Sequence, residues 1–179
     1  MKGMRAIGII FASSVLAAGA ASLAQAQQPI SALKGHDSDA PVDVTADRIE
    51  VQDRDDRAIF AGNVRVKQAA LTLDTARLTI AYTGGGGVKI RRLDAAGGVI
   101  VRSPSETGKG EFGIYDLDRK LITIIGNVEL TRGQNRVFGQ RLVIDLNTGR
   151  AVIDGGPPGV NQSGGRVTGH FTVPQRDRR

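Results

Sequence analysis

Ala61-Gly62-Asn63-Val64 returns as Ile125-Gly126-Asn127-Val128, and this recurrence decides how the chain folds. Ala96-Gly97-Gly98-Val99 is a variant, and Asp154-Gly155-Gly156 is a fourth, weaker copy. A second motif precedes each one. It reads Ala46-Asp47-Arg48-Ile49-Glu50-Val51, then Thr75-Ala76-Arg77-Leu78-Thr79-Ile80. It continues as Gly110-Glu111-Phe112-Gly113-Ile114-Tyr115 and Gly139-Gln140-Arg141-Leu142-Val143-Ile144. The motif starts are 29, 35 and 29 residues apart, and the six extra residues are accounted for by a loop at Thr83 to Val88. Chance glycines in a β-rich chain would not hold both motifs at fixed offsets. The chain therefore reads as four units of about 29 residues, a period that marks stacked architectures. One such unit cannot bury its own apolar face, whereas four stacked units enclose a continuous apolar interior with two open ends.

Within the units, apolar and polar residues alternate. Pro41-Val42-Asp43-Val44-Thr45, Val64-Arg65-Val66-Lys67, Leu71-Thr72-Leu73-Asp74 and Leu78-Thr79-Ile80 all do so. Period 2 means strands with one buried and one wet face. Turn chemistry punctuates them at Asp53 to Asp56, Thr83 to Gly87, Ser103 to Gly110, Arg132 to Asn135 and Asn147 to Gly149. With 24 Gly and short strands, the fold class expected is all-β, each unit supplying two to three strands. Ile49 and Val51 fall on the opposite parity from Val42 and Val44, which calls for a bulge or bend between them.

The chain begins with Lys2 and Arg5, followed by an uncharged run from Ala6 to Ala24 and the A-x-A signature Ala24-Gln25-Ala26. This is the pattern of a cleavable export signal over residues 1–26. The expected division then continues with a flexible segment over 27–40 and a β-domain over 41–156. Residues 157–173 have room for one further strand, and 174–179 form a disordered basic tail. The chain has no Cys, so neither disulfides nor thiolates contribute. Its formal charge of +6 admits a nucleic-acid partner, but export to the periplasm argues against one. Aromatics at 4% and the absence of Trp also leave little for base or sugar stacking.

Little in the sequence points to catalysis. His36 and His170 lie in the terminal segments without metal-ligand spacing to other donors. Asp53, Asp55 and Asp56 lack the glycine and terminal glutamate of an EF-hand loop. Gly84 to Gly87 lacks the Lys-Ser/Thr of a phosphate loop. No catalytic triad or carboxylate pair is legible, so no cofactor, metal or enzymatic activity is expected. Arg65, Lys67, Lys89, Arg91 and Arg92 alternate with apolar neighbours; a solvated outer face explains them, and attraction to anionic phosphates is the functional alternative.

Several of these segments together resemble the LptA (OstA-like) family of periplasmic lipopolysaccharide transport proteins. They are Ala46 to Val51, Phe60 to Val66, Leu71-Thr72-Leu73, Leu121 to Val128 and Leu142 to Arg150. The likeness covers roughly residues 41–153. It implies a V-shaped β-jellyroll whose interior holds the acyl chains of lipid A. It also implies end-to-end strand pairing with an LptC-like inner-membrane protein, an LptD-like outer-membrane protein and further copies of the chain. The short length and cleavable signal distinguish the chain from an anchored LptC and from an LptD with its large barrel.

Given that resemblance, strand parity nominates the lipid-binding lining. It comprises Val42, Val44, Phe60, Val64, Val66, Leu71, Leu73, Val99, Val101, Ile124 and Val128. Position within the family's motifs adds Val51 and Tyr115 to Val42 as lipid contacts. The alternative function is a secreted β-solenoid scaffold or adhesin without a lipid ligand, which co-purifying lipid would rule out. The unpaired edges expected to carry assembly are Val42-Asp43-Val44 at one end, with Leu142 to Leu146 and Arg150 to Ile153 at the other.

Overall fold

A computed structural model describes residue 33 and residues 36–84, 88–156 and 165–172. The signal-like stretch 1–26, the glycines at 85–87 and the basic tail lie outside the described residues. The elements are β1 (Val42–Thr45), β2 (Arg48–Gln52), a 3-10 turn (Asp53–Asp55), β3 (Arg57–Gln68), β4 (Leu71–Thr83) and β5 (Lys89–Arg102). They continue with β6 (Thr107–Asp116), β7 (Leu121–Arg132), β8 (Asn135–Asp145), β9 (Arg150–Asp154) and β10 (Thr168–His170). All ten strands belong to one antiparallel sheet in which β3 to β8 pair in chain order. Each end of the sheet is split between two short strands. β1 pairs with Arg65–Gln68 of β3 and β2 with its Arg57–Ala61 half. At the far end β10 pairs with Arg136–Phe138 of β8 and β9 with its Arg141–Asp145 half.

The repeat seen in the sequence has a structural cause. Each unit is two consecutive strands, β2–β3, β4–β5, β6–β7 and β8–β9, with the first motif on the even strand and the glycine motif on the odd one. The odd strands carry one extra residue where the register shifts, at Ala61/Val64, Ala96/Val99 and Ile125/Val128. These β-bulges line up across the sheet and bend it along one line. Inward residues therefore step by four across the bend on odd strands, as from Phe60 to Val64. They step by three on even strands, as from Thr75 to Leu78. Both halves of every long strand thus face one interior, which makes the fold an all-β jellyroll built from a single folded sheet.

A polar bracket fixes the bend in two of the units. Asn63 Nδ2 donates to Asp47 Oδ2 at 2.9 Å, and Asn127 Nδ2 donates to Glu111 Oε1 at 2.6 Å. In each, donor and acceptor are sixteen residues apart. The glycine before each Asn has a φ near +80°, a region that side chains with a Cβ disfavour. In the β4–β5 unit Ala76 stands where the acid stands elsewhere, Gly98 replaces the Asn, and no bracket forms between them.

Candidate functional site

The interior is an apolar trough running across the strands from one edge of the sheet to the other. Two rows of residues flank the bend. One is Val64, Thr75, Val99 and Gly110, resumed across the β6–β7 register shift by the pair Val128 and Gly139; the other is Phe60, Leu78, Ala95, Gly113, Ile124 and Leu142. Directly paired residues on antiparallel strands point to the same face. The most deeply buried large side chains, Leu78, Ile124, Leu142, Val64, Val99 and Val128, all lie in these rows. Fully burying each is worth about 1.5–3 kcal/mol, so the bend is where the fold is best secured.

The structure buries most of the residues nominated from sequence. Val64, Val66, Leu71, Leu73, Val99, Val101, Tyr115, Ile124 and Val128 are buried together in one cluster. Val42, Val44 and Phe60 are half-buried against it. Val51 departs from this lining, with 56% of its surface exposed. The reason is positional. Val51 pairs with buried Ala58 and so points to the interior side, but β2 is an edge strand with no further strand paired to it among the described residues. Ile49, paired with Phe60, is likewise 57% exposed. The apolar surface of the trough therefore continues into the open at this edge. The bend required by the change of parity falls at Ala46-Asp47, where Asp47 N donates to Gly62 O at 2.9 Å.

Sequence parity missed several lining residues. Leu93, Leu146 and Ala151 belong to the same cluster. So does Leu33, from the segment ahead of β1, which no periodic pattern marks. A small apolar cavity lies at this end between Val42, Val66, Leu71, Leu73, Leu93 and Tyr115. Burial pushes the Tyr115 hydroxyl above its ordinary pKa, and the nearby charges of Asp39 and Asp37 reinforce this. Chemically the trough offers apolar walls, a neutral phenol and the amide of Gln68, a set suited to holding hydrocarbon.

The outer face is a charge ladder. Arg65 pairs with Asp74 at 2.7 Å, and Arg102 contacts the same carboxylate. Lys89 and Arg91 share Asp118 at 3.6 and 2.6 Å, and Arg92 holds Asp94 at 2.8 Å. Four of the five basic residues singled out in the sequence are thus engaged with carboxylates; the Arg65–Asp74 pair lies on the wet side of the sheet, whereas Lys89 and Asp118 border a crevice beside Val42 and Ile90. Among the described residues no cluster of three His, Asp or Glu side chains could hold a metal ion. Nor is any helix among them long and apolar enough to cross a membrane.

Comparison with known proteins agrees with this architecture. In Rhizobium meliloti (strain 1021) a protein described as uncharacterized is 34% identical over 143 residues, which cover 75% of this chain and 77% of that one. The crystal structure of LptH from Pseudomonas aeruginosa, described as the LptA homologous periplasmic component of the lipopolysaccharide transport device, superposes with a TM-score of 0.67. It covers 77% of this chain and 99% of LptH at 17% identity, a likeness of fold. The family model for the LptA/LptD N-terminal domain, an LPS transport protein, matches residues 43–150. That span runs from β1 to the start of β9 and contains both bracketed bends and the buried rows between them, so the chain belongs to the LptA/LptD N-terminal domain family of LPS transport proteins.

Proposed function

We propose that the protein is an exported periplasmic carrier, not an enzyme, that holds the lipid A part of lipopolysaccharide by its acyl chains and passes it between membranes. The observation that carries this reading is the trough itself: one apolar interior, continuous from edge to edge, with Ile49 and Val51 left open at its N-terminal rim. Removing an acyl chain from a membrane costs about 0.8 kcal/mol per CH₂, nearly 10 kcal/mol for a chain of about twelve carbons. A trough that solvates hydrocarbon along its whole length lowers that barrier. Hand-off follows from the edges. Unpaired strands recruit strands, so the β1/β2 edge would accept an LptC-like domain or the far edge of another copy. The β9/β10 edge would meet another copy or an LptD-like domain. The two edges differ, so head-to-tail contact does not close and extends into a bridge.

Photo-crosslinkers test this. Placed at Val42, Phe60 or Tyr115 they are expected to capture lipopolysaccharide in the native envelope, and at Val51 to capture lipid or a partner strand. At Arg65 and Lys67, on the wet face, capture should be far weaker. Equal labelling of both faces would sink the carrier reading.

A further inference from the structure

Alternation along a half-buried strand puts polar side chains on the wet face. On β6 to β9 this fails beside the bend. The first row of outward residues there, followed through the cross-strand pairs, is Arg77, Ala96, Phe112, Ile125, Arg141 and Asp154. The next row is Thr79, Asp94, Ile114, Thr123, Val143 and Val152. Phe112, Ile125 and Val152 are 50%, 38% and 38% exposed, and Ile114 and Val143 are half-buried between them. Together they make one apolar patch on the outer face, back to back with the trough. Patches of this kind on a soluble protein mark contact surfaces. The other half of the outer face differs. There Arg65, Asp74, Lys109 and Glu129 share a row and pair among themselves.

Charge frames the patch. Arg77, Arg141 and Asp154 are exposed, and none of them has an ion-pair partner among the described residues. Arg77 on β4 and Asp154 on β9 stand five strand spacings apart, about 24 Å, so they do not meet within one chain. They do meet across a two-fold axis. A second copy can be laid face to face on the first, with the axis parallel to the strands and midway between β6 and β7. Each row then falls on its own copy in reverse order. Phe112 faces the second copy's Ile125, and Arg77 faces its Asp154. Arg141 faces Ala96, whose small side chain leaves it room to reach Asp94 in the next row. One row further out, Arg92 faces Asp145. Every contact occurs twice. An axis laid along the first row would instead set Arg77 on Arg77 and Asp154 on Asp154.

We propose that the outer face of β4 to β9 is a docking surface for a second copy of this chain, giving a closed back-to-back dimer. Face-to-face sheets pack with their strand directions within about 30° of each other, as this axis places them. Six strands about 4.8 Å apart and three rows of outward residues about 7 Å apart give a face of about 600 Å² per copy. The pair buries about 1,200 Å², the lower end of specific interfaces, so dissociation falls in the micromolar range. The contact is isologous and stops at two, unlike strand addition at the edges, which extends. It turns the two troughs away from each other and leaves every sheet edge free. No residue of the trough takes part, so the inference stands apart from the carrier reading.

The test is sedimentation equilibrium of the mature chain from Gln27 carrying Val51→Lys, a charge that blocks strand addition at the β2 edge. A single monomer–dimer step is expected, with no larger species. Arg77→Asp and Asp154→Arg should each weaken dimerisation about tenfold, because like charges then face each other at both ends of the contact. The double variant Arg77→Asp/Asp154→Arg restores opposite charges only between copies, and should return dimerisation to the parent's strength. Phe112→Ser should abolish the dimer while far-ultraviolet circular dichroism shows the sheet retained. A parent that stays monomeric throughout the micromolar range, or a double variant no better than either single one, would overturn the dimer. So would growth past two copies that neither charge variant changes. Lipid capture in the trough is read separately, and its failure would leave this inference standing.

Discussion

At Gly126 the backbone has a φ of +83°, and the Glu111 side chain lies where a Cβ would be, with Oε2 2.7 Å from that position. Glycine is needed twice over, for its conformation and for the space. Gly126→Ala is expected to cost about 1–3 kcal/mol of stability, read from the urea midpoint. Glu111→Ala in the same chain should return only the steric part, so a double-mutant cycle separates clash from strain. Asn127→Gly should cost little, since Gly98 already fills that place in the neighbouring unit. Asp74 gives a pH prediction. Burial alone would raise its pKa, but hydrogen bonds and charge from Arg65 and Arg102 outweigh it and hold the pKa below the ordinary value. A lowered folded-state pKa contributes stability above the unfolded value, about 3.9. That contribution is lost as pH falls through the folded value. Asp74→Asn should therefore flatten the loss of stability below about pH 4; an unchanged acid slope would mean the pair contributes nothing. These sites were legible in outline, because the sixteen-residue offset between the two motifs is the span of the Asn brackets. The two-residue turn at Ala69-Ala70 was not. Ala69 adopts a φ of +48° with no glycine or asparagine to announce it, and the hairpin's paired ends, Gln68 and Leu71, impose it.

Alternation located the strands because every unit has one face in the interior and one in water. It could not say which strand ends the sheet. Val51 shows the gap: its parity gives the correct face, but its exposure depends on what lies beyond β2, and that is a property of topology. The docking of Leu33 was hidden for a related reason, since a single residue in an aperiodic segment carries no period. The open edge yields a prediction at this scale. Val51→Lys places a charge on an exposed edge strand, a device that blocks strand addition. Stability should stay within about 0.5 kcal/mol, as is usual for surface changes. Association across a concentration series in sedimentation velocity should fall sharply. If association persists undiminished, the β2 half of this edge is not the contact, and removing residues 41–45 would then locate it in β1.

For the whole molecule, export is the first condition of the proposed role. N-terminal sequencing of protein extracted from the envelope should begin at Gln27. Recovery of intact Met1 in the membrane fraction would instead indicate an anchored, LptC-like protein. The unit of two strands per repeat has a metric consequence. Neighbouring strands lie about 4.8 Å apart, so each repeat adds about 10 Å to the length of the interior and leaves its cross-section alone. Reach is therefore quantised. In-frame duplication of one 29-residue segment would extend the molecule by one graduation, and under the proposed head-to-tail assembly each further copy would extend it by a fixed multiple. In the proposed role the molecule would be a ruler as well as a container, and the distance it can span is written in how many times one hairpin has been copied.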